Sequence, residues 1–165
     1  MRSMQIWNPS ASFTRPSNTT AYASGQLVAN ALTAGAVTPL QFSVGGNSMP
    51  GEFRLTRIRL FKSGTSNTNA AFRLHLYSAA PAAANGDGGA WSTNQAAAYL
   101  GSIDVAAMKA FTDGCADVGD DPAGGEHLIR LPSGTAFYGL LEARAAYTPV
   151  ANEQFTVTLE MVEEW

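Results

Sequence analysis

Two histidines, one cysteine and a run of acidic residues carry most of the side-chain chemistry this chain could perform, and their spacing points to little of it. His75 and His127 stand in separate alternating segments, RLHLY and EHLIR, and neither belongs to a metal-ligand spacing such as two histidines one helical turn apart. They read as surface or structural histidines. Cys115 lies in TDGCADVGDDPAGGE, where Asp113 and Asp117 disfavour the thiolate that a nucleophilic cysteine needs. Asp113, Asp117, Asp120 and Asp121 could gather a hard cation such as calcium, but their spacing is not that of an EF-hand, and acidic glycine-rich loops are ordinarily just solvated. No Gly-x-Ser-x-Gly occurs, and the NGDGG run at 85–89 lacks the strand-to-helix context of a phosphate cradle. The expectation is a protein that is not an enzyme, with no catalytic residue, no cofactor and no metal.

Aromatic side chains offer a second kind of chemistry. Trp7, Trp91 and Trp165, with Tyr22, Tyr77, Tyr99, Tyr138 and Tyr147, could present flat faces to sugar rings, or could fill the core and contacts between subunits. Residues 1–24 are rich in Ser, Thr, Asn and Pro with no apolar period, and read as an extended N-terminal arm ahead of a single domain at 25–165. That arm nevertheless carries Ile6, Trp7, Phe13 and Tyr22, rings and branches that a free tail has no reason to hold. The expected role for them is contact with a partner, Arg15 adding a polar contact, with the arm mobile in the free protein and ordered on its target.

The elements that must position these residues are strands. Candidate strands run at 26–30, 40–44, 51–62, 70–78, 97–105, 126–131, 136–147 and 153–162, separated by Gly- and Pro-rich connections. Their pattern predicts an all-β antiparallel sandwich of about eight strands, jelly-roll-like. GEFRLTRIRLFKSGTSNTNAAFRLHLYS reads as a hairpin with its tip at 63–69, Arg73, His75 and Tyr77 lying on the wet face. Phe53 and Leu55 share one parity and Ile58 and Leu60 the other, so both pairs face the core only if a bulge intervenes near Thr56 and Arg57. Val105, Met108 and Phe111 recur every three residues and predict at most two turns of helix over 104–111. The stretches 79–94 and 112–126 read as surface loops.

One domain of 165 residues with a single cysteine needs no disulfide, and the lack of a signal-peptide core or an apolar run of about 18 residues suggests a soluble, reducing compartment and no membrane. Charged residues make up only 14% with a net charge of −3, which argues against nucleic acid as a partner. The charge is unevenly placed. Residues 1–78 hold seven basic groups and one acid and residues 79–165 hold three basic groups and twelve acids, so the halves carry +6 and −9. Such asymmetry either marks a docking surface or disappears in space as distant strands interleave.

The runs RIRLFKSGTSNTNAAFRLHLYSAAP, GDGGAW, AAAYLGSIDV and YGLLEARAAYTPVANEQFTVTLE, with TRPSNTTAYASGQLVAN before them, resemble small virion proteins of tailed bacteriophages over about two-thirds of the chain. The resemblance implies a head decoration (cement) protein of jelly-roll type, or a closely related virion structural protein. It further implies a homotrimer bound to the major capsid protein on the virion surface after assembly in the host cytoplasm, stabilising the shell by bridging its subunits. The alternatives are a glycan-binding module of a phage tail or tail fibre, which needs an exposed aromatic strip, and a hydrolase domain, which needs a cleft where carboxylates and histidine converge.

Overall fold

The computed structural model describes residues 4–44, 51–120, 127–131 and 136–164. Among them are twelve strands, two short 3₁₀ turns and no α-helix. The strands are β1 (Met4–Trp7), β2 (Ser10–Thr14), β3 (Gln26–Val28), β4 (Leu40–Ser43), β5 (Gly51–Lys62), β6 (Phe72–Tyr77), β7 (Tyr99–Val105), β8 (Lys109–Phe111), β9 (Gly114–Asp120), β10 (His127–Leu131), β11 (Ala136–Ala143) and β12 (Gln154–Glu164). In the larger sheet β1 and β2 lie end to end along one side of β12, β5 lies along its other side, β9 and β10 share the far side of β5, and β8 borders β9. In the smaller sheet β3 and β4 share one side of β11, followed by β6 and then β7. All pairings are antiparallel.

With the interrupted strands β1/β2, β3/β4 and β9/β10 each taken as one and the short edge strand β8 set aside, the described strands occupy eight positions in the sheet orders 1-8-3-6 and 2-7-4-5. That is the order of a jelly roll, a long antiparallel ribbon rolled up so that its first half pairs with its second. The all-β sandwich expectation holds. Its membership differs: 26–30 and 40–44 are two pieces of one strand position, and the first position lies in the stretch read as an arm.

The core lies between the sheets and is organised by rings. Phe13 stacks on Phe155 at 5.4 Å, Phe155 meets Phe72 edge-on at 5.3 Å, and Phe72 meets Tyr147 edge-on at 5.4 Å. Phe72 and Phe155 are fully buried, and each such ring contributes about 1.5–3 kcal/mol by leaving water. At one seam β7 and β9 approach so closely that a Cβ on Gly119 would lie 2.5 Å from the Asp104 carbonyl oxygen. Only glycine admits that contact.

The bulge is where the parity places it. Consecutive residues Glu160 and Met161 of β12 face Arg57 and Leu55 of β5, leaving Thr56 as the extra residue, and its hydroxyl donates to the Glu160 carbonyl at 2.9 Å. Phe53, Leu55, Ile58 and Leu60 are consequently all buried.

Other expectations are corrected. β5 and β6 do not pair as a hairpin; they lie in opposite sheets, and the 63–69 connection crosses the sandwich. Its tip is held, since the Lys62 ammonium donates to the carbonyls of Gly64 at 2.8 Å and Ser66 at 2.6 Å. No helix occupies 104–111, because Val105 closes β7 in register with Phe72 while Phe111 sits exposed on the edge strand β8. Within 112–126, residues 114–120 form β9, for which pairing with Arg57–Lys62 outweighs poor local propensity. His75 and Tyr77 are buried rather than wet, because the 79–94 loop folds back over the outer face of the smaller sheet.

Deleting Thr56 should move Phe53 and Leu55 to the solvent face and prevent cooperative thermal unfolding, whereas Thr56→Ala should cost about 1 kcal/mol, the value of one hydrogen bond. Denaturant titrations followed by intrinsic fluorescence distinguish the two. Similar midpoints for both variants would place the bulge elsewhere.

Candidate functional site

The N-terminal residues expected to meet a partner divide into two groups. Phe13, Arg15 and Tyr22 are committed to the fold itself. Phe13 packs on the core through Phe155. The Arg15 side chain is fully buried: its Nη2 donates to Asp87 Oδ2 at 2.8 Å, its Nη1 donates to the carbonyls of Asn18 at 3.2 Å and Val150 at 3.4 Å, and its Nε donates to the Tyr22 hydroxyl. Tyr22 in turn donates to Asp87 Oδ1, which also accepts from the Ala29 amide at 2.9 Å. Burial first, and then the Asp87 charge, push the Tyr22 phenol well above its ordinary range, so it stays a donor.

This cluster ties the crossover after β2 to the 79–94 loop. The stretch read as an extended arm, mobile in the free protein, instead forms paired strands: residues 10–14 pair with 154–158 and residues 4–7 with 161–164. The missing apolar period has a plain cause, since β2 alternates exposed Ser10, Ser12 and Thr14 with half-buried Ala11 and Phe13, a pattern too weakly apolar to stand out. Ile6 and Trp7 remain at the surface. Ile6 is 69% exposed, and half-buried Trp7 donates its indole N–H to Glu163 at 3.0 Å. Their strand β1 ends the larger sheet, with one backbone edge unpaired among the described strands.

A second buried cluster lies at the base of the 63–69 connection. Lys62 and Glu153 are both wholly buried and paired at 3.1 Å, and the Tyr147 hydroxyl donates to the Glu153 carboxylate at 2.6 Å. Burial and the Glu153 carboxylate raise the Tyr147 phenol far above its ordinary value, which preserves that donor. No substrate could reach these groups. Cys115, expected in a solvated loop, is instead fully buried in β9. Asp117 is paired to Lys109 at 2.8 Å and Asp113 is exposed; Asp121 and the side chains of Asp120 and His127 lie outside the described residues, as does Trp165. No group of three or more His, Cys, Asp or Glu gathers among the described residues.

His75 is held by two hydrogen bonds and a ring stack. Glu142 can only accept, so His75 Nε2 carries the hydrogen and donates to Glu142 Oε2 at 2.6 Å, leaving Nδ1 to accept from the Tyr99 hydroxyl at 3.1 Å. Arg144 Nη1 donates to the other Glu142 oxygen at 2.7 Å. The imidazole stacks on Trp91 at 3.7 Å. Burial lowers the His75 pKa below its ordinary 6.5, opposed by Glu142 and assisted by the positive Arg73 and Arg144. Arg73 itself is paired to Asp104 at 2.6 Å, and that hydrogen bond holds the Asp104 carboxyl below its usual range.

Of the aromatic residues considered for sugar binding, Tyr22 and Tyr147 are buried in the core, Tyr77 is buried beneath the 79–94 loop, and Trp91 and Tyr99 flank it at the surface. Among the described residues no single flat strip forms. A short cleft lined by Tyr77, Trp91, Ser92, Thr93, Ala96 and Tyr99 takes its place. Sequence alternation put Tyr77 and His75 on this face but could not show that a glycine-rich loop would cover them.

No protein-family model matches the chain, and no curated protein matches it. Solved structures that superpose on it include the virus-like particle protein of the extra small virus of the giant freshwater prawn Macrobrachium rosenbergii, 9% identical with a TM-score of 0.35, covering 98% of this chain and 79% of that one. The BFDV capsid protein of a decameric assembly is 11% identical with a TM-score of 0.36, covering 98% and 99%. The globular domain of zebrafish complement 1qA is 11% identical with a TM-score of 0.26, covering 92% and 94%. Likenesses this distant carry no argument about function.

Two measurements test the buried clusters. Glu153→Ala strands the Lys62 ammonium in the core and should cost about 3–5 kcal/mol, while exposed Asp113→Ala should stay within about 0.5 kcal/mol. For His75, the unfolded chain binds a proton near pH 6.5 that the folded chain resists, so stability is complete above that value and declines as pH falls from 6.5 toward the lowered folded pKa. The neutral His75→Gln variant should lose that part of the slope. An identical pH dependence of melting in the two proteins would show that His75 does not titrate differently on folding.

Proposed function

We propose that the protein is a non-enzymatic virion structural protein that decorates a bacteriophage capsid, binding the major capsid protein as a homotrimer and bridging neighbouring shell subunits. The observation that carries this reading is the state of the N-terminal strand β1: it ends the larger sheet, leaves one backbone edge open among the described strands, and displays Ile6 beside half-buried Trp7. Open edges are usually shielded, and one flanked by exposed apolar side chains suits addition to a partner strand. The resemblance of the 57–81 and 138–160 runs to phage virion proteins supports the same reading. So does the way the described charged clusters serve the fold, with Arg15, Lys62, Glu142 and Glu153 each engaged by other side chains. Bridging would act by avidity, each trimer making several weak contacts whose sum holds adjoining shell subunits together.

Attachment is tested with undecorated particles. The protein should co-sediment with them saturably, and removing residues 1–8, which spares β2 and the Phe13–Phe155 stack, should weaken binding at least tenfold while leaving the melting transition cooperative. Ile6→Asp should weaken it in the same direction. Removal of residues 1–14 is not a clean test, because it strips β2 from β12 and uncovers Phe155. Unchanged affinity after the shorter truncation would remove β1 as the anchor. Location of the protein on the tail of intact particles would overturn the decoration role, and a monomer by sedimentation velocity at shell-binding concentrations would overturn the trimer.

A further inference from the structure

We propose that the cleft between the 79–94 loop and the start of β7 binds a single neutral pyranose ring, as a terminal or branching unit of a surface polysaccharide. The cleft measures about 260 Å³ and is lined by Tyr77, Trp91, Ser92, Thr93, Ala96 and Tyr99. That is slightly below the roughly 300–1,000 Å³ of sites for drug-sized ligands, so one ring fits and an extended ligand must project out of it. The lining combines aromatic faces with hydroxyls and contains no charged side chain. Such a wall suits a ring with apolar C–H faces and hydroxyl edges, and offers no counter-charge to an acidic sugar or a phosphate.

The ring walls are held in place before any ligand arrives. Tyr77 and Tyr99 meet at 5.4 Å with their planes at 60°, forming a corner. The Tyr77 hydroxyl bonds Thr93 Oγ1 at 3.2 Å, and the Tyr99 hydroxyl donates to His75 at 3.1 Å. Trp91 is backed on one face by the His75 ring and fixed through its amide, which donates to the Gly25 carbonyl at 2.9 Å. Behind His75 stand Glu142 and then Arg144, so a buried hydrogen-bond chain fixes rings that would otherwise be mobile at a loop surface. A preformed wall lowers the ordering cost of binding. Tyr99 is nevertheless 41% exposed, and the buried indole N–H of Trp91 lacks an acceptor.

The site stands apart from β1 and requires neither a head nor a tail location. Saturation-transfer NMR of the full chain with the methyl glycosides of glucose, galactose, mannose and N-acetylglucosamine, each at millimolar concentration, reads it directly. At least one glycoside should receive saturation on its ring protons and quench tryptophan fluorescence with a millimolar dissociation constant. Tyr99→Ala should weaken that binding at least tenfold, and Phe111→Ala, which removes a still more exposed ring on the other sheet, should leave it unchanged. Because Tyr99→Ala also removes a hydrogen bond to His75, Tyr99→Phe serves as the second variant and should keep most of the affinity through its ring. The proposal is overturned if none of the four glycosides binds, if binding survives Tyr99→Ala, or if Phe111→Ala abolishes it.

Discussion

Pairing of the first half of the chain with the second is the constraint on which the rest of this structure depends. In the orders 1-8-3-6 and 2-7-4-5 every neighbouring pair of strand positions joins one member from residues 1–78 to one from residues 79–165. Those are the halves whose charges are +6 and −9. The lopsided charge is therefore interleaved across the sheets. Arg57 and Arg59 of β5 meet Glu160 of β12, Arg73 of β6 meets Asp104 of β7, and Lys62 meets Glu153 just before β12. Arg15 joins Asp87 in the same sense, between the crossover and the covering loop.

The same distribution weighs against the pairing that local sequence suggests. A hairpin of β5 with β6 would bring Arg54, Arg57 and Arg59 alongside the strand that carries Arg73, with only Glu52 to balance them. Like charges on adjacent strands are destabilising, and opposite charges favour the observed neighbours by a few tenths to 1 kcal/mol per pair. Exposed pairs such as Arg57–Glu160 are worth little individually. Their value lies in biasing register and partner choice in a fold whose contacts are mostly long-range, where the wrong antiparallel neighbour would otherwise satisfy the backbone equally well.

Burial then adds rigidity where chain segments cross between the sheets. The Arg15–Tyr22–Asp87 and Lys62–Glu153–Tyr147 clusters each bury a cation, an anion and a phenol, and both lie where chain segments cross between sheets. A buried pair is a weak source of net stability but a severe penalty for any arrangement that separates its members. The ring chain from Phe13 through Phe155 and Phe72 to Tyr147 connects the N-terminal strand to the second of these clusters through the core.

Sequence alone determined what depends on neighbours along the chain. Alternation marked β5, β6, β11 and β12, and the parity change from Leu55 to Ile58 located the bulge at Thr56, because side-chain direction in a strand has a strict period of two. It also implied the antiparallel sandwich, through strand lengths and the chemistry of the turns. What only the tertiary structure decided is which strands sit side by side and what covers them. β2 and β9 are too polar or too glycine-rich to announce themselves, and exist because β12 and β5 offer unpaired edges to them. Arg15 and Tyr22 looked like contact residues because nothing nearby in sequence foretold Asp87, far along the chain, as their partner. His75 likewise became a buried support for Trp91 and Tyr99 through Glu142 on β11 and the fold-back of the 79–94 loop, contacts between residues far apart in sequence that no local pattern encodes.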